Sequence, residues 1–149
     1  MRHLIRRRFN LKSERGAALV EFALVVPFLM LIMCATIDFG LAVYTLNNIT
    51  AAVREGGRFA SSRIPAPAAN DIEVQNRVWA YLSQMNNNGL TEAQVRAKIT
   101  STAMDANGNI TVKITAYPYK PFTPLAPLLN MSVINLNKTA IFRSEMAPG

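Results

Sequence analysis

The chain divides by how its hydrophobic positions are spaced. From Phe22 to Ile37 no residue is charged, and the wider run Ala17–Leu46 carries only Glu21 and Asp38. As a helix that run rises about 45 Å, against a hydrocarbon core of roughly 30 Å, so it crosses a bilayer with length to spare. Beyond Leu46 the spacing turns amphipathic. Ile49, Ala52, Val53, Gly56, Phe59 and Ala60 recur at helical intervals, which predicts that the helix continues outside the lipid to about Ser61. Ile64 to Asn70 holds two prolines and reads as a linker.

After the linker the pattern becomes that of a small mixed domain. Asn70 with Glu73 at the third helical position predicts a capping box. Val74, Val78, Leu82 and Met85 form one apolar face with Ile72 and Trp79 beside it, and Asn86–Gly89 ends the helix. Trp79 has two readings, core residue or partner anchor, and the spacing favours core. Thr91 with Gln94 opens a short helical turn to about Ala97. Strands are predicted over Ile99–Met104 and Ile110–Tyr117, joined by a turn at Asp105–Asn109. In the second strand Ile110, Val112, Ile114 and Ala116 alternate inward. A proline-rich loop from Tyr117 to Pro127 follows, a rigid crossover or a partner-binding segment. Asn130–Arg143 closes the sheet with Val133, Ala140 and Phe142 inward. The fold class is therefore α+β: a long N-terminal transmembrane helix extends into a small domain with one or two helices and a short antiparallel sheet. The divisions are 1–16, a basic unstructured leader; 17–46, the membrane helix; 47–61, its extension; and 62–149, the domain.

Charge sets the direction of the span. Arg2, Arg6, Arg7, Arg8, Lys12 and Arg15 all precede it, and positive flanks stay cytoplasmic, which puts the C-terminal domain on the other side. The net charge of +7 is mostly this signal, since the chain beyond residue 16 has ten basic and eight acidic side chains. A nucleic-acid-binding face is not indicated. A secretory signal peptide fits poorly, having a shorter apolar region without an acid inside it. Pro27 interrupts one backbone hydrogen bond, which membrane helices tolerate. Cys34, the single cysteine, excludes an intrachain disulfide and reads as an apolar filler. Asp38 falls near the far interface, as a solvated or interfacial residue. Glu21 sits inside the span, where an acid costs up to about 3 kcal/mol at the bilayer centre on insertion scales. Either it snorkels or protonates, or a cationic partner meets it within a helical assembly.

Arg15-Gly16-Ala17-Ala18-Leu19-Val20-Glu21-Phe22 resembles the processing site of type IV pilin-like proteins. The resemblance implies that a prepilin peptidase cuts after Gly16, leaving Ala17 as the new N-terminus and Glu21 as the fifth mature residue. In that family this glutamate attracts the free amine of a neighbouring subunit and sets its register. A second stretch, Ala51-Ala52-Val53-Arg54-Glu55-Gly56-Gly57-Arg58-Phe59-Ala60, is similar to the A-x-R-E-G-A-R-Y-A segment of TadE-like proteins of the tight-adherence (Flp-type) pilus. It departs at Gly57, where Ala is usual, and at Phe59, where Tyr is usual, changes that leave the chemistry much the same. Ile37-Asp38-Phe39-Gly40 also looks like that family's pattern. On residue types alone, Arg54, Glu55 and Arg58 read as a solvated helix face, with Glu55 in reach of Arg58.

No catalytic constellation is present. His3, the one histidine, lies in the leader, which removes any His-based triad from a processed chain. Metal-ligand spacings and phosphate-binding glycine loops are absent, and no cofactor is expected. The resemblance implies a non-enzymatic minor pseudopilin of the bacterial inner membrane, N-terminus cytoplasmic and domain periplasmic. Its expected partners are the prepilin peptidase, other pilins or pseudopilins, the inner-membrane pilus assembly platform and the lipid bilayer. A rival reading is an uncleaved signal-anchored protein whose periplasmic domain binds a partner or ligand.

Overall fold

The computed structural model describes residues 11–85, 89–123, 130 and 133–145 of the chain. One helix dominates it. α1 (Leu11–Ser61) runs 51 residues without a break, through Gly16 and Pro27. It starts six residues before Ala17, so the last part of the expected unstructured leader is helical. Residues 1–10 lie outside the described residues. Two further helices, α2 (Ile72–Leu82) and α3 (Glu92–Arg96), precede a three-stranded antiparallel sheet, β1 (Ile99–Ser101), β2 (Asn109–Tyr119) and β3 (Ile134–Arg143), in that spatial order.

Three threonine hydroxyls of the helix are satisfied locally. The hydroxyls of Thr36, Thr45 and Thr50 donate to the carbonyls of Ile32, Leu41 and Leu46, one turn back. A hydroxyl that returns its proton to its own helix needs no water, which matters where water is absent.

The upper half of α1 is the central element of the core. Ile49, Ala52, Val53 and Ala60 are fully buried, with Phe59 partly buried beside them, as the amphipathic spacing predicts. Val74, Val78 and Leu82 of α2 and Ile110, Val112 and Ile114 of β2 pack against it in the same core. Each such side chain contributes about 1.5–3 kcal/mol on full burial. Two adjacent glycines of α1, Gly56 and Gly57, are what let these layers approach. A Cβ on Gly56 would lie 2.3 Å from Val78 Cγ2, and one on Gly57 2.1 Å from the Phe142 ring of β3. Gly57 is thus a packing requirement of this chain and not a neutral departure from alanine.

β2 lies antiparallel to α1 along that half. At one end the Ser144 amide donates to the Gly108 carbonyl, and the Glu145 amide to the Ser61 carbonyl at the helix terminus. At the other, Tyr119 reaches Asp38. Ten strand steps span about 33 Å and the helix from 38 to 61 about 34 Å, so strand and helix match in length.

Several local expectations shift. The N-cap of α2 is Asp71, whose carboxylate accepts from the Glu73 amide. Asn70 instead takes a left-handed conformation, φ 55°, and pairs with the edge of β1: its amide donates to the Ser101 carbonyl and its Oδ1 accepts from the Ser101 amide. Ile72 is exposed, and α2 stops at Leu82, before Asn86–Asn88, which lie outside the described residues. Trp79 packs against the core. The Thr91–Gln94 capping box forms as predicted. β1 is three residues long, short of Met104.

In β2 the inward alternation breaks after Ile114. Ala116 has φ 51° and is exposed, while Tyr117 is fully buried. The register explains it: Ile114 pairs with Lys138 but Tyr117 with Leu136, three steps against two. One extra residue makes a bulge and flips every later side chain to the opposite face. The first part of the proline-rich stretch is therefore strand, and the loop begins at Lys120. In β3, Ala140 and Phe142 face inward, but Val133 precedes the strand and is exposed.

The linker is tied to α2 by Arg63, whose guanidinium bonds Asp71 at 2.9 Å and Glu73 at 3.1 Å. Partial burial pushes the Asp71 carboxyl up, but bonds from the Glu73 amide and Arg63 outweigh it and hold the group below its ordinary value. A depressed carboxyl contributes stability that is present above its unfolded pKa and lost as pH falls through the folded one. Unfolding midpoints should therefore hold level from pH 7 and drop below roughly pH 4. Asp71→Asn should flatten part of that acid limb in a pH series of thermal melts.

Candidate functional site

The first candidate region is the lower half of α1. From Leu19 to Tyr44 its large apolar side chains are exposed, among them Phe22, Leu24, Phe28, Leu29 and Ile32. The helix from Gly16 to Ser61 is long and apolar enough to cross a membrane, and the apolar window that qualifies it has none of its residues buried in the protein. A helix apolar on all faces and left bare by its own domain fits a single membrane span. Gly16, Ala17 and Glu21 lie on it in sequence order, all exposed. Glu21 is about 7.5 Å along the axis from Gly16, at about 1.5 Å per residue. Among the described residues no side chain bonds Glu21 and nothing lies within 4 Å of a Cβ placed on Gly16.

The second region is where the domain meets the end of the apolar run. Asp38 is half-buried and held by the loop after β2. Its Oδ1 accepts from the amides of Phe122 at 2.8 Å and Thr123 at 3.1 Å, and its Oδ2 accepts from the Thr123 hydroxyl. Its backbone carbonyl accepts from the Tyr119 hydroxyl at 3.0 Å. One carboxylate thus clamps the loop after β2 onto α1. Beside it lies an open cleft of about 610 Å³, lined by Ile37, Leu41, Tyr44, Met85, Tyr119 and Phe122.

The third region, the charge cluster, is partly as expected. Arg58 forks onto Glu55 with Nε–Oε2 and Nη2–Oε1 both at 3.2 Å. Arg54 is exposed and takes no part among the described residues. Its place is filled by Arg77 of α2, 3.4 Å from Glu55 and stacked 5.6 Å from the centre of the Phe59 ring. The hydrogen bond from Arg58 holds the Glu55 carboxyl below its usual range, against the upward push of partial burial. The cluster joins α1 to α2. Among the described residues no group of three or more metal-ligating side chains converges.

These positions fall in a recognised segment. Residues 16–58 match the family model described as TadE-like protein. The match begins at Gly16, covers Glu21, Asp38 and the Arg54–Arg58 stretch, and ends before the linker, under a third of the chain. It points to involvement in Tad/Flp pilus-related systems, and the TadE-like pilus-associated family is not an enzyme family. No match was found among curated proteins or among solved structures.

Sequence reasoning missed Asp38's partners and Arg77. Thr123 stands 85 positions from Asp38 and Arg77 lies on a different helix from Glu55, so no local spacing pairs them.

Proposed function

We propose that this chain is a minor pseudopilin-like membrane protein that takes part in assembling a Flp-type pilus after a prepilin peptidase cuts between Gly16 and Ala17. The observation that carries the reading is the TadE-like match, which starts at Gly16 on a helix whose next 20 or so residues its own domain leaves bare. Such a surface serves packing against lipid and against other subunits' helices. Cleavage needs the helix opened around Gly16. A glycine inside a helix costs about 1 kcal/mol relative to alanine, so opening is easiest there.

Cleavage would put a free amine on Ala17, one helical turn below Glu21. In a bundle of such helices the glutamate of one subunit can take the amine of another, an ion pair that fixes axial register more than it adds stability. The basic leader gives the orientation of this proposal, N-terminus in the cytoplasm and domain in the periplasm. The partners are then the peptidase, other pilins or pseudopilins and the inner-membrane assembly platform.

Intact mass and N-terminal sequencing of the protein from its native membrane should give a chain starting at Ala17. A chain starting at Met1 would overturn the processing step and favour an uncleaved anchored protein. Glu21→Ala should still insert and still start at Ala17, while pilus number per cell falls sharply. Normal piliation in that mutant would remove the registry role.

A further inference from the structure

The apolar surface of α1 does not end where the domain begins; it continues into the clamped loop. Ile37 and Leu41 of the helix, with Tyr44, run into Phe122, which is 81% exposed. The charge that α1 carries at that level, Asp38, is taken off this surface, its carboxylate engaged by two amides and a hydroxyl of the loop. Height along the helix is set by the sequence. From Gly16 to Ile37 α1 rises about 32 Å at about 1.5 Å per residue, one hydrocarbon thickness. The loop is fastened to the helix one residue above that. Lys120 is exposed beside Phe122 at the same cleft. A ring at the acyl boundary with an amine at phosphate height is how amphipathic segments seat in an interface.

We infer that the Lys120–Thr123 loop is a membrane-surface anchor: Phe122 seats in the phospholipid leaflet where the helix emerges, Lys120 meets lipid phosphate, and the Asp38 clamp fixes the loop at that depth. The cleft beside it faces acyl chains and headgroups of that leaflet. The folded domain is thereby held against the bilayer instead of standing off it on the helix. This role is independent of processing and of any pilus; it needs only that α1 spans the membrane.

The test uses the full chain with Cys34→Ala, reconstituted in nanodiscs of phosphatidylethanolamine and phosphatidylglycerol. Single nitroxide labels go on Phe122→Cys, on Leu29→Cys within the span, and on Ala106→Cys in the distal turn. Collision rates with oxygen, which prefers lipid, and with a nickel chelate, which prefers water, report depth. The label at 122 should favour oxygen several-fold more than that at 106 and less than that at 29. With Asp38→Ala added, its preference should fall towards the value at 106; no change would remove the clamp from the proposal. A water-like value at 122 with a lipid-like value at 29 overturns the anchor alone. Shielding of 122 from both reagents means that protein covers this residue, a second copy or another part of this chain, and overturns it too. A water-like value at 29 would unseat the membrane span itself.

Discussion

Asp38→Ala releases the Lys120–Thr123 loop from α1 while leaving the core intact. The carboxylate accepts three bonds from the loop, and bonds to a charged group are worth about 1.5–3 kcal/mol each where water does not compete. Phe122 is exposed and water can take over part of this, so the expected loss is about 1.5–3 kcal/mol of local stability and not the sum. At 1.4 kcal/mol per factor of ten, the amides of Phe122 and Thr123 should exchange with solvent roughly 10- to 100-fold faster. Those of Val74, Val78 and Ile110 in the buried core should be unaffected. Asp38→Asn should give an intermediate result, because its amide oxygen still accepts from the loop backbone while its charge is gone. Exchange measured residue by residue in micelles checks this, and unchanged protection at 122 and 123 would contradict the clamp.

Gly57→Ala should destabilise the folded domain even though alanine is the better helix former. The new methyl would lie 2.1 Å from the Phe142 ring, with no room for it unless β3 or the ring moves. Overpacking of this kind costs about 1–3 kcal/mol, against a propensity gain of about 1 kcal/mol, leaving a net loss of up to about 2 kcal/mol. That lowers the melting temperature by several degrees, read through Trp79, which packs against the same core. The sign should reverse once the ring is removed. In a Phe142→Ala background Gly57→Ala no longer meets a ring and should raise the midpoint. The two changes are therefore strongly non-additive. Additivity would show that the helix and β3 are not in contact at this point.

What was legible in the sequence follows from the range of the signals. The apolar run, its amphipathic continuation and the Thr91–Gln94 cap are written within a few residues, and α1's buried set Ile49, Ala52, Val53 and Ala60 came out as spaced. The errors have physical causes of the same kind. Asn70 and Asp71 are both good caps, and only the pairing of Asn70 with Ser101, 31 residues away, decides between them. Ala116 broke the alternation because a bulge depends on the register against β3, not on β2's own pattern. Gly57 looked interchangeable with alanine until Phe142 was placed on it. Of the candidate sites, Gly16 and Glu21 are proposed from a local sequence pattern alone. Asp38, Arg77 and the loop at Thr123 act through contacts between distant segments, which no window along the chain contains.

The continuity of α1 has a mechanical consequence. Many anchored proteins hang from their membrane segment by a linker that acts as a swivel. Here the same 51-residue helix is both the apolar shaft fit to span a membrane and the innermost rod of the domain, and the loop clamped at Asp38 braces the point where the two meet. Twisting the shaft turns the domain by the same angle, and an axial pull on one is borne by the other. The azimuth of Glu21 about the helix axis is thereby locked to the face that α2 and the sheet present outside the bilayer. A neighbour that engages the domain dictates which way Glu21 points.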